Sequence, residues 1–193
     1  MARSKEFDPD AALQAALELF WERGYEATSM ADLVEHLGVA RASLYATFGN
    51  KHDLYLTALK RYVETRAPDP IELLSQPGPA LPAVRALVEL YAEESIADER
   101  RRGCLIVNAA AELMPQDTAV TRFVEAKWAA LEAALTSALI RARAQGELGP
   151  DADPAALARF LLVVLQGLRI TAKGSPDPGR LRDAAAQALR LLD

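Results

Sequence analysis

Two short stretches of this chain carry residues whose chemistry goes beyond what a helix core needs. In "RASLYATF", residues 41–48, one guanidinium (Arg41), the hydroxyls of Ser43, Tyr45 and Thr47, and the small side chains of Ala42 and Ala46 share eight positions. A solvated helix face normally carries Glu and Lys. Small and hydroxyl residues around a single guanidinium, with no negative charge, can instead approach base edges and phosphates. In "DERRRGCLIV", residues 98–107, the one cysteine, Cys104, follows Gly103 and the run Arg100, Arg101 and Arg102. Unpaired N–H groups at a helix start and nearby guanidinium charges stabilise the thiolate, the reactive form of cysteine. The same residue also reads as a small, inert core filler.

Other chemistry is thin. His36 and His52 are far apart, with no cysteine partner and no local carboxylate pattern, so no metal site is expected and solvated or capping roles are left for them. Glu93 and Glu94 are adjacent, point in different directions on a helix and make a poor catalytic pair. No phosphate-loop, nucleophile-elbow, metalloprotease or dinucleotide fingerprint is present, so neither an enzyme nor a cofactor is expected.

The elements that must position these residues are helical throughout. Apolar residues recur at three- and four-residue spacing, and alternating β-branched runs are missing, which predicts an all-α fold. Asp8 and Pro9 open a first helix carrying Leu13, Leu17 and Phe20, and Gly24 stops it. Ser29 caps the second, with Asp32 completing an approximate capping box; Leu33, Val34 and Leu37 form its inner face and Gly38 ends it. A short helix follows from Arg41, with Leu44 and Phe48 turned inward toward Leu37. Asn50 and Asp53 then cap a fourth helix that places Lys51 in its first turn. Two short helices joined at a glycine form a helix-turn-helix over about 29–48, whose second helix enters a DNA major groove.

On these residues "TSMADLVEHLGVARASLYATFGNKHDLYLTAL" resembles the DNA-binding region of the tetracycline-repressor (TetR) family of bacterial transcription regulators, over roughly residues 6–62. The resemblance implies that Tyr45 contacts a phosphate, that Arg41, Ala42 and Ser43 face bases, and that Thr28, Thr47 and Lys51 meet the backbone. Ser29, at the head of the motif, joins the candidate set. It also implies a three-helix DNA-binding domain over 1–66, a helical ligand-sensing and dimerisation domain over 67–193, and a homodimer on a palindromic operator.

Charge sets a condition on that reading. The chain is acidic, with a net charge of −5, and through Arg61 it carries seven cations against nine anions. Phosphate binding must therefore depend on where Arg41, Lys51 and an arm containing Arg3 and Lys5 are placed, and a modest salt dependence per subunit is expected.

Beyond Arg66, "APDPIELLSQPGPALP" reads as a connector with at most a short helical turn. Further helices are expected near 81–98, 104–114, 117–145, 155–173 and 179–192. In the long one Val120, Val124, Trp128, Leu131 and Leu135 form a core stripe. "AALARFLLVVLQGLRI" is apolar nearly all round and is followed by amphipathic "RLRDAAAQALRLL", so these two helices are the expected dimer surface. The longest apolar stretch, "FLLVVLQGLRI", is too short and interrupted to span a bilayer, and no apolar run follows the basic N-terminus; a cytoplasmic protein without membrane contact is expected.

For the trigger, Tyr62, Tyr91, Asn108, Glu112, Phe123 and Trp128 are the candidate lining of a pocket for a small-molecule inducer. The Gly-Cys-Leu helix start resembles a branch of the family that includes regulators of electrophile and reactive-chlorine defence. In that branch a lysine late in the penultimate helix lies near the thiol, which pairs Lys173 with Cys104 as the redox alternative. The sequence thus points to a sequence-specific DNA-binding repressor released by a small ligand, with a thiol-switched repressor as alternative, and a helical adaptor or an enzyme as competitors of a different class.

Overall fold

The computed structural model describes residues 7–175 and 177–193, and among them all regular structure is helical. Ten helices follow one another: α1 Pro9–Arg23, α2 Met30–Leu37, α3 Arg41–Phe48, α4 Lys51–Glu64, α5 Pro70–Ser75, α6 Ala80–Ala97, α7 Leu105–Leu113, α8 Thr118–Ala144, α9 Pro154–Gly174 and α10 Pro178–Arg190. Arg3 and Lys5 lie outside the described residues.

Helix starts follow side-chain chemistry closely. Asp8, Ser29, Asn50, Asp69, Asp117, Asp153 and Asp177 each place a side-chain oxygen on first-turn amides, and proline stands at the start of α1, α5, α9 and α10. Ser29 with Asp32 and Asn50 with Asp53 form complete capping boxes. Gly38 ends α2 in the left-handed conformation (φ 62°, ψ 24°). Gly49 (φ 77°) leaves no room for a side chain, because a Cβ there would lie 2.5 Å from Asp53 Oδ2.

The connector after α4 is more structured than expected. Asp69 caps the six-residue α5, Leu74 is buried, and Arg141 donates to the Leu74 carbonyl at 2.7 Å. An amphipathic "IELL" next to a long helix finds a core to join.

Packing divides the molecule differently from the chain. One core unites α1–α4 with α7 and the start of α8, through residues such as Phe20, Leu33, Leu44, Tyr55, Leu105 and Val120. The other unites α5, α6, the second half of α8, α9 and α10, through Val84, Leu87, Leu135, Leu161 and Leu181. Thus α7, well beyond residue 66, packs with the helix-turn-helix. The 27-residue α8, about 40 Å long at 1.5 Å per residue, runs through both cores. Val120, Val124, Leu131 and Leu135 of its stripe are buried, while Trp128, between them, is half-buried.

Helix α9 packs against α6, α8 and α10. With 21 residues it is long and apolar enough to cross a membrane by length and composition, because the helix extends well beyond the "FLLVVLQGLRI" run on both sides. Its apolar residues divide instead between the core (Ala158, Leu161, Leu165, Leu168) and an exposed stripe (Phe160, Val163, Ile170), and Arg169 is buried in an ion pair.

Three polar ties join the helix-turn-helix to the rest. Glu112 on α7 accepts from the Tyr25 and Glu26 amides at 2.9 and 2.8 Å. His52 Nε2 lies 2.6 Å from Asp117 Oδ2, linking α4 to the start of α8, and Trp21 Nε1 donates to the Gly103 carbonyl at 2.9 Å. Burial raises the Asp117 pKa, but hydrogen bonds from the Val120 amide, His52 and the Ala119 amide outweigh it and hold the carboxyl below its ordinary value.

Replacing Glu112 with alanine removes the acceptor of two amides in the turn between α1 and α2. Urea denaturation of Glu112→Ala is expected to show a loss of about 1–2 kcal/mol, with helicity retained in the native baseline; unchanged stability refutes the bracing role.

Candidate nucleic-acid interface and sensory cavity

The interface is built from α2, the Gly38 turn and α3. Leu33 and Leu44 are buried and anchor the two helices to α1 and α4. That anchoring leaves Arg41, Ala42, Tyr45, Ala46 and Thr47 exposed and Ser43 half-exposed, all on the outer side of α3. Tyr45 is 43% exposed, a large value for an aromatic side chain, and the Arg41 guanidinium carbon lies 5.8 Å from its ring centre. Ala40 precedes α3 and offers no side-chain cap, so the first amides of this helix meet no side-chain acceptor of their own. Uncapped amides beside a guanidinium and a tyrosine hydroxyl suit a phosphate. Ser29 is exposed at the start of α2, its hydroxyl engaged with Asp32.

Two residues of the expected set are turned inward. Thr28 is fully buried and its hydroxyl donates to the Gly24 carbonyl at 2.7 Å. Lys51 Nζ donates to the Tyr25 and Thr28 carbonyls, both at 2.9 Å, and lies 4.0 Å from the Tyr25 ring centre. The turn between α1 and α2 exposes carbonyls with no helical partner, and the α4 ammonium is the donor within reach. The position at which a backbone contact was expected is thus a brace of the motif.

At the seam between the two cores lies a compartment of about 160 Å³. Three of the six expected pocket residues, Tyr62, Tyr91 and Trp128, line it, together with Cys104. The other three do not: Asn108 is buried and donates to the Arg102 carbonyl at 2.8 Å, Glu112 holds the α1–α2 turn, and Phe123 packs at the edge of the first core with Lys127 above its ring. Cys104, Asn108 and Glu112, four residues apart along α7, therefore meet three different surroundings. Cys104 is 6% exposed and stands at the α7 N-cap position without a capping side-chain hydrogen bond. Lys173 is exposed and packs beside Gly103, where a Cβ would lie 3.6 Å from Lys173 Cβ; it does not line the compartment.

Sequence reasoning missed a buried ionic cluster beside this compartment. Glu94 on α6 accepts from Arg66 at 3.1 Å and from Arg169 of α9, and both guanidinium groups lie over the Tyr91 ring, at 4.7 and 4.5 Å from its centre. Burial works to lower the Arg66 pKa, but Tyr91, Glu94 and other neighbours more than offset it, so Arg66 remains a cation. Burial raises the pKa of Tyr91 and of Tyr62, keeping both phenols protonated. Arg66 and Tyr62 also face a second, open cleft of about 640 Å³ on the other side of the cluster. One signal was available: Arg169 is the lone charge within the apolar run of α9.

Residues 12–58 match the family model described as bacterial regulatory proteins, tetR family, and residues 80–189 match that of the tetracyclin repressor-like C-terminal domain. The chain belongs to the TetR family. Among its relatives, the uncharacterized HTH-type transcriptional regulator YezE of Bacillus subtilis is 42% identical over the full length of both chains. The HTH-type transcriptional repressor ComR of Escherichia coli is 34% identical, over 98% of this chain and 90% of its own. A solved structure of the TetR-family regulator CifR, a cysteine mutant complexed with 26-base-pair double-strand operator DNA, superposes with a TM-score of 0.84 at 35% identity, over 97% of this chain and 98% of that one. The protein is thus a transcriptional regulator of the TetR family and not an enzyme, with the all-α, two-part architecture read from the sequence.

In this TetR-family chain, Lys51→Met takes the ammonium from both turn carbonyls: Tyr25 keeps the Thr28 amide as donor at 3.2 Å, and the Thr28 carbonyl loses its donor. An unfolding free energy lower by about 1–3 kcal/mol in urea titration is expected; a variant as stable as the wild type returns the ammonium to a role in solvent.

Proposed function

We propose that this regulator is a cytoplasmic homodimeric repressor that binds a twofold-symmetric operator through α2 and α3 and leaves it when a small ligand enters the cavity at the seam. The observation that carries the reading is the outer face of α3, where Arg41, Ala42, Ser43, Tyr45 and Thr47 are presented without a single carboxylate. In the CifR complex a regulator of the same fold is bound to operator DNA, which supports carrying that role over. Arg41, Ala42 and Ser43 face base edges, and Tyr45 and Thr47 face phosphates. Lys51 adds its charge from within the brace.

Dimerisation rests on α9 and α10. Phe160, Val163 and Ile170 recur at helical spacing along the outer side of α9, with Gly167 between the last two, and Leu191 follows α10; Val163 is 70% exposed. A stripe of this kind on a water-facing helix needs a cover, and a second copy of the same two helices supplies one through a twofold axis.

Release follows from the placement of α4. Its first turn carries Lys51 and His52, which hold the helix-turn-helix and α8, and its last turns carry Tyr62 and Val63 at the cavity, with Arg66 just beyond. Fourteen residues make a rod of about 20 Å. A ligand that displaces the cavity end tilts the rod and changes the separation of the two recognition helices from the roughly 34–36 Å repeat of successive major grooves. A thiol-operated release is the second reading, favoured by the presence of Cys104 in the cavity lining.

Affinity for DNA upstream of the protein's own gene, read by fluorescence anisotropy, tests the first reading. Tyr45→Ala is expected to bind at least about tenfold more weakly with unchanged circular dichroism. Val163→Glu is expected to sediment as a monomer and to lose affinity as well; undiminished binding by Tyr45→Ala, or a persistent Val163→Glu dimer, overturns the corresponding assignment. For the second reading, N-ethylmaleimide should release the wild type but not Cys104→Ser from DNA, and binding that ignores the reagent leaves Cys104 as packing.

A further inference from the structure

The ionic cluster between the two cavities is out of balance. One carboxylate, Glu94, faces two guanidinium groups, and the side chains of Arg66 and Arg169 are only 18% and 9% exposed. A buried ion pair is tolerated when it is matched, and an unmatched buried charge costs several kcal/mol. Nearby carboxylates lessen the imbalance without pairing with either guanidinium: Asp69, the α5 cap, also lines the compartment, and Asp98 and Glu99 share the open cleft with Arg100 and Arg102. Lys127, an exposed residue, adds a positive charge to the compartment lining.

Two buried donors in the same region also lack acceptors, Arg169 Nε and Trp128 Nε1. Buried polar groups are nearly always paired, so unpaired donors around an unmatched positive charge call for an acceptor carrying negative charge. The compartment, partly open to solvent, is small: at about 160 Å³ it lies below the roughly 300–1,000 Å³ of drug-sized pockets. Beside its polar residues Arg66, Asp69, Lys127 and Gln166 the wall carries an apolar patch of Ile106, Leu131 and the Trp128 ring.

We propose that the compartment is a receptor for a short-chain monocarboxylate, its carboxylate accepting from Arg66 and the Trp128 Nε1–H and its alkyl end lying against Ile106 and Leu131. Arg169 is a positioning residue: by sharing Glu94 Oε2 with Arg66 it leaves part of the Arg66 charge available to the ligand. The inference rests on the ligand-released reading above and names the class of ligand. It also gives a reason for release, since a carboxylate competing with Glu94 for Arg66 draws on the residue that follows α4.

The test uses the full-length protein without DNA, titrated by calorimetry with butyrate and with butyramide, its neutral counterpart. Saturable butyrate binding is expected, at least about tenfold tighter than butyramide, because the charge-assisted pair is lost with the amide. Arg66→Gln and Arg169→Gln should each weaken butyrate about tenfold or more, the second by letting Glu94 claim Arg66. Equal affinities for butyrate and butyramide, or no saturation by about 10 mM, overturn the proposal irrespective of whether either variant folds. Operator affinity, measured separately, keeps the two readings apart. DNA binding without butyrate binding removes the carboxylate receptor alone, and butyrate binding without DNA binding removes the repressor alone.

Discussion

The turn between α1 and α2 is gripped from both sides by groups of opposite charge. The Lys51 ammonium takes the Tyr25 and Thr28 carbonyls, and the Glu112 carboxylate takes the Tyr25 and Glu26 amides. A six-residue turn has few backbone partners of its own, and both of its polarities are met by helices that belong elsewhere, α4 and α7. The direction in which α2 leaves the turn, and with it the pose of α3, depends on this clasp. Buried Thr28 completes it from within.

Because one jaw of the clasp is α7, the helix-turn-helix is part of a core that reaches well past residue 66. Helix α7 starts at Cys104, in the wall of the seam cavity, and carries Glu112 in its last turn. Helix α4 covers the same span in the opposite chain direction, from Lys51 at the clasp to Tyr62 at the cavity. Two stiff elements therefore run between the cavity and the clasp, and the His52–Asp117 pair ties the start of α8 to the same end. In the ligand-released reading proposed above, two stiff helices carry a displacement at the cavity to the turn that sets the pose of α2 and α3.

Local chemistry was legible in the sequence wherever partners are near in the chain. Asp8 with Pro9, Ser29 with Asp32, and Asn50 with Asp53 mark helix starts within three residues, and the spacing of Leu44 and Phe48 alone settles which side of α3 faces out. What was not legible depends on partners far apart. Lys51 looked like a phosphate ligand because its acceptors lie 23 and 26 residues upstream, and Glu112 looked like a pocket residue because its amides lie 86 and 87 residues away. The cluster of Arg66, Glu94 and Arg169 draws on three helical regions separated by 28 and 75 residues. Only the incongruity of an arginine in "VVLQGLRI" announced it, and incongruity does not say where the partner is.

Helix α9 places two consecutive residues on opposite duties: Arg169 is buried against Glu94, while Ile170 lies on the exposed stripe with Val163. In a dimer closed over that stripe, the helix that feels the charge state of one cavity is also the wall shared with the neighbouring subunit. In the proposed ligand-responsive dimer, a shift of α9 on occupancy of one site would also move the wall shared with the other protomer. Such coupling would make the dose response steeper or shallower than that of independent sites, its sharpness set by the packing of α9 against its own copy.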